Sequence, residues 1–72
     1  AALALFAQER GLTAREREIF ELLARGHSGK SIMERLTISG NTVKTHTRHI
    51  YHKCNVHSQQ ELIDLVEEAI GR

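Results

Sequence analysis

From Ser39 to Cys54 the chain reads Ser-Gly-Asn-Thr-Val-Lys-Thr-His-Thr-Arg-His-Ile-Tyr-His-Lys-Cys, a run with no acidic residue. Wound as a helix, it puts Val43, Ile50 and Cys54 on one side that can be buried. Asn41, Lys44, Thr45, Arg48 and His52 fall on the other side. A face of cations, amides and hydroxyls suits a polyanion whose edges carry hydrogen-bonding groups, and double-stranded DNA meets that description. Arg48 can fork onto guanine O6 and N7, Lys44 can donate to guanine, and Thr45 offers a methyl to thymine or a hydroxyl to several edges. Lys44, Thr45 and Arg48 are therefore the candidate base-reading residues. Lys30, Ser39, Asn41, Thr42, His46 and Lys53 surround them as candidate phosphate contacts, helped by backbone amides at helix N-termini. His46 has two readings, a phosphate donor or a half-buried structural histidine beside Val43 and Ile50. If about five phosphates are neutralised, log affinity against log salt falls with a slope of about −4 to −5.

Other chemistries find little support in the same residues. His46, His49 and His52 are spaced by three, but three-residue steps drift by about 60° around a helix, so they cannot converge on one ion. Cys54 and His57 form a lone Cys-x-x-His without the second pair that a structural zinc needs. No metal or cofactor is expected. Glu16 with Glu18, and Glu67 with Glu68, read as caps or solvated helix surface, and no glycine-rich loop follows a strand. No catalytic residues are assigned, and an enzyme is not expected.

The reading helix needs a scaffold, and the sequence predicts four helices with no strand. Thr13 and Glu16 have capping-box spacing and open the first. Ile19, Phe20, Leu22 and Leu23 are its apolar residues, and Gly26 is its stop. Ser28 caps the second, which runs to about Leu36 with Ile32, Met33 and Leu36 inward. Thr37-Ile38-Ser39 is a three-residue turn, the length that joins the two helices of a helix-turn-helix. In that unit the second helix, here about residues 40–54, enters the major groove. Asn55 is its expected stop. Ser58 and Glu61 form a second capping box for the last helix. Its apolar residues, including Leu62, Ile63, Val66 and Ile70, exceed what a small core requires. They either all pack inward or partly contact a second copy of the chain.

The bounds agree with one small all-α domain. Seventy-two residues bury a modest core. Net charge is only +1, but it is segregated: residues 27–57 carry Lys30, Arg35, Lys44, Arg48 and Lys53 against Glu34, whereas residues 58–72 carry Arg72 against Glu61, Asp64, Glu67 and Glu68. The local field matters more than the sum. No apolar run approaches the roughly 20 residues that span a bilayer. Cys54 is the lone cysteine, which fits a reducing, cytoplasmic setting. The short apolar start without a Met is expected to be a linker remnant, residues 1–11, of a longer regulator.

The ordered residues Leu12-Thr13-x-Arg15-Glu16-x-Glu18-Ile19, Leu22-Leu23-Ala24-x-Gly26-x-Ser28-x-Lys30-x-Ile32, Leu36-x-Ile38-Ser39-x-Asn41-Thr42-Val43-Lys44-x-His46, Ile50-Tyr51-x-Lys53 and Val56-x-Ser58 resemble a known family. It is the C-terminal DNA-binding domain of LuxR-type transcriptional regulators, also called the GerE or NarL/FixJ type. The resemblance covers residues 12 to about 68. It implies a four-helix, bundle-like domain over residues 12–70 with a central helix-turn-helix. It implies promoter DNA as partner and a response-regulator output role. Lys44, Thr45 and Arg48 match the family's base-contacting positions. It further implies a homodimer through the fourth helix, at Leu62, Ile63, Val66 and Ile70, contact with RNA polymerase, and an N-terminal sensory or receiver domain, in some members membrane-tethered. Three residues depart from the pattern: Met33 where a small residue is usual, Gly40 in place of a polar residue, and Cys54 in place of Leu.

Two other readings are separable. A sigma-factor-like promoter-recognition domain also uses a helix-turn-helix, but the Thr42-Val43-Lys44-x-His46 run and the Ser58-capped helix favour the LuxR type. A protein-interaction module would explain the apolar last helix and leave Lys44, Thr45 and Arg48 without a purpose.

Overall fold

The computed structural model describes residues 2–71, and five α-helices account for its regular structure: α1 (Ala2–Glu9), α2 (Ala14–Ala24), α3 (Gly29–Leu36), α4 (Gly40–Cys54) and α5 (Gln59–Ile70). The fold is all-α. The four expected helices are α2 to α5, and their caps are where the residue types place them. Thr13 Oγ1 accepts the Glu16 N–H while Glu16 Oε1 accepts the Thr13 N–H, a reciprocal capping box. Ser28, Ser39 and Ser58 each accept the N–H three residues on, which satisfies one orphan donor per helix. The last of these is not the box expected for it. Glu61 Oε1 reaches past Ser58 and accepts the His57 N–H at 2.9 Å.

The expectation of a linker over residues 1–11 is corrected by α1; Ala1 lies outside the described residues, as does Arg72. Phe6 and Ala7 are buried in the common core. The Phe6 ring stacks on Phe20 of α2 at 5.5 Å and 7°, and the Arg10 guanidinium lies 4.8 Å over the centre of the Phe6 ring. That sandwich combines aromatic packing with a cation–π contact. The α1 helix packs on both α2 and α5.

The α2 helix is the hub. It packs on α4 and α5 as well as α1, and α3 packs on α4. Ile19 and Phe20 of α2, Ile32 of α3, Ile50 of α4 and Leu62 of α5 are fully enclosed. Burying each of these side chains contributes about 1.5–3 kcal/mol. Gln59 locks α5 onto the end of α2, its Nε2 donating to the carbonyls of Leu23 at 3.1 Å and His27 at 2.8 Å. No described helix is long and apolar enough to cross a membrane.

Candidate nucleic-acid interface

The α3–turn–α4 unit sets the geometry. Thr37 ends α3 in the left-handed region, at φ 55° and ψ 53°. The N–H groups of Thr37 and Ile38 both bond to the Met33 carbonyl, so the chain turns sharply and Ile38 packs back on the core. Ser39 then starts α4. Met33 and Gly40 meet across this turn. A Cβ built on Gly40 would lie 3.4 Å from the Met33 Sδ and 3.7 Å from its Cε, so the larger residue on α3 leans over the smaller one on α4. The flexible Met33 thioether fills the space over a residue without a side chain.

Along α4, Val43, Ile50 and Cys54 are buried, as their spacing requires. Burial raises the Cys54 thiol above its ordinary range, an effect partly offset by the charge of Arg10. The thiol is a neutral core group. Lys44, Thr45 and Arg48 are exposed, and no hydrogen bond or ion pair holds them among the described residues. They form a ridge between two depressions. An open groove of about 610 Å³ runs on the side of Lys44 and Arg48, over Val43, Tyr51 and Val56. A smaller depression of about 270 Å³ is lined by Asn41, Thr42, Thr45 and His46.

The start of α4 borders the smaller depression. Ser39 Oγ accepts the Thr42 N–H at 3.2 Å and lies 3.0 Å from the Thr42 hydroxyl. The Ser39 carbonyl accepts the Val43 N–H. The Gly40 and Asn41 N–H groups have no partner among the described residues, as at any helix start. They add partial positive charge beside the ridge. Lys30, second residue of α3, is exposed next to that helix's own start. His46 is half-buried, and its Nδ1 is enclosed without a hydrogen-bond partner among the described residues.

Lys53, the remaining residue expected at phosphate, is engaged elsewhere. Its Nζ lies 2.7 Å from Glu16 Oε1 and donates to the Gly11 carbonyl at 3.1 Å, on the α2 side of α4. Glu16 is buried, with 5% of its side chain exposed, and His49 Nδ1 lies 3.6 Å from its other oxygen. Burial alone would raise the Glu16 pKa. The hydrogen bonds from Lys53 and the Thr13 N–H, with the charges of Lys53 and His49, outweigh it and hold the carboxyl below its ordinary value. Lys53, expected as a phosphate contact, is here the partner of a buried carboxylate. The partners lie 37 residues apart, so no local pattern announces them. The three histidines spaced by three also separate: His46 lines the small depression, His49 faces Glu16 and His52 lines the large groove.

On α5, Leu62 and Val66 are enclosed in the core and cannot meet a second copy. Of the four residues expected at an interface, Ile63 is half-buried outside the main core cluster and Ile70 is 39% exposed.

Residues 10–66 match the family described as bacterial regulatory proteins, luxR family. The oxygen regulatory protein NreC of Staphylococcus carnosus is 44% identical over 53 residues, covering 74% of this chain and 24% of NreC. The transcriptional regulator MalT of Vibrio cholerae is 34% identical over 59 residues, and that of Vibrio campbellii 36% over 59, covering 82% of this chain and 6% of either MalT. No solved structure matches the chain. The chain thus spans a quarter or less of these curated relatives. A matched stretch that includes α2, the whole α3–turn–α4 unit and most of α5 makes this chain a helix-turn-helix, DNA-binding domain of the LuxR family of bacterial transcriptional regulators.

Proposed function

We propose that α4 is the recognition helix of a sequence-specific regulator and lies in the major groove, with Lys44, Thr45 and Arg48 at base edges. The observation that carries this reading is the ridge itself: three side chains of base-reading type, exposed and unpaired, on a helix whose opposite face is locked in the core. Exposed cations usually find solvent, but here they stand beside two helix starts with free N–H groups, an arrangement suited to phosphate. Lys30, Ser39, Asn41 and Thr42 supply the phosphate contacts, with His46 at their edge. Ser39 acts mainly through the helix start that it caps.

The domain serves as the cytoplasmic output part of a longer response regulator, with an N-terminal sensory or receiver domain supplying the signal and RNA polymerase as a further partner. The small share of each relative that this chain covers supports that reading. Two copies meet on DNA through α5, at Ile63 and Ile70.

A salt titration of binding to random-sequence duplex tests the polyanion reading. With Lys53 removed from the set, about four phosphates are neutralised and the expected slope is about −3 to −4. An affinity indifferent to salt at low ionic strength would remove DNA as the partner and favour a protein-interaction module.

A further inference from the structure

We propose that the open groove beside the ridge seats one sugar–phosphate strand of the bound duplex, with His52 and His57 as additional phosphate contacts. This rests on the major-groove placement of α4. The groove has two parts of different chemistry. Its floor is apolar, from Leu23, Val43, Tyr51 and Val56, and suits the face of a deoxyribose. Its rim carries Lys44 and Arg48 from α4, His52 one turn further along the same row, and His57 from the loop before α5. No carboxylate lines it among the described residues. Charge therefore selects a polyanion, and the open shape selects an extended one.

His52 is exposed and has no hydrogen-bond or ionic partner among the described residues. It faces Lys44, Arg48 and Tyr51 on α4, while the residues that α2, α3 and α5 contribute to the groove, Leu23, Gly29 and Gln59, are uncharged. The Tyr51 phenol is held above its usual pKa by burial and remains a neutral donor. His57 has one carboxylate in reach, Glu61, with Oε1 3.6 Å from its Nδ1; the imidazole is 88% exposed. Imidazole changes charge between pH 5 and 8. A phosphate in the groove favours the charged form of an imidazole beside it. DNA binding should then take up protons, and affinity for any duplex should rise as pH falls.

The test is the salt slope on random-sequence duplex at pH 6 and pH 8, for the wild type, His52→Gln, His57→Gln and the double variant, each checked for folding by thermal melting. The wild-type slope should be steeper at pH 6 by about 1 to 2. Each single variant should lose a substantial part of that difference, and the double variant most of it. His52→Lys should steepen the slope at pH 8 by about 1. A double variant that keeps the wild-type difference would assign the effect to His27, His46 or His49 and overturn the proposal. A wild-type slope that is steep and identical at both pH values would also overturn it while leaving the DNA reading intact. No salt-dependent binding at either pH would remove both.

Discussion

Glu16 and Lys53 decide the chemistry of this domain at the scale of single residues as much as the reading ridge does. A buried carboxylate is tolerated only with partners, and Lys53 is its nearest. Lys53→Ala should destabilise the fold by about 1–3 kcal/mol at neutral pH, because it removes a charge-assisted hydrogen bond from a buried carboxylate that keeps only the Thr13 N–H and His49 beside it. It should leave the salt slope of DNA binding unchanged, and a flattened slope would return Lys53 to the phosphate contacts. The sign of the pH dependence follows from the lowered Glu16 pKa. The carboxylate stabilises the fold above its unfolded value of 4.5, and that contribution is lost as pH falls through the lower folded value. Urea melts from pH 7 to pH 3 should show wild type and Lys53→Ala converging at the acid end. Lys44, Thr45 and Arg48 were legible in the sequence because an exposed helix face is a local property. The Lys53 pairing was not, because it joins the end of α4 to the start of α2.

The elements were legible to the degree that caps announce them. Thr13, Ser28, Ser39 and Ser58 start α2 to α5, and each apolar spacing matches the face that is buried. The α1 helix carries no comparable start signal and buries only Phe6 and Ala7, so its helicity depends on stacking against Phe20. The turn between α3 and α4 holds the main local strain. Thr37 is β-branched and left-handed, at φ 55°, a conformation that costs such residues roughly 1–3 kcal/mol. Thr37→Gly should recover part of that and stabilise the domain by up to about 1 kcal/mol, despite glycine's greater unfolded entropy; a loss of stability in thermal melts would show that the Thr37 side chain contributes more than its backbone costs. Gly40→Ala should be neutral to stabilising by up to about 1 kcal/mol, since the new Cβ meets Met33 at ordinary contact distance. A marked drop in melting temperature would mean that the Met33–Gly40 contact has no slack.

The whole molecule is polar in the electrical sense. Its middle block, residues 27–57, is positive and its last helix is negative, so near-neutrality conceals a face suited to DNA and another that is not. The last helix divides in turn. Leu62 and Val66 complete the core, and Ile70 remains at the surface. Ile70→Glu should leave the monomer folded and weaken paired binding to two half-sites, whereas Val66→Asp should unfold it; unfolding by Ile70→Glu would make Ile70 core. Selection from a random duplex library, with wild type and Arg48→Ala side by side, tests whether α4 reads bases through Lys44, Thr45 and Arg48. The expected result is a defined site in which Arg48→Ala binds about 1–3 kcal/mol more weakly and loses its preference at one base position per half-site. The same site, read with the same preferences by both proteins, would contradict it.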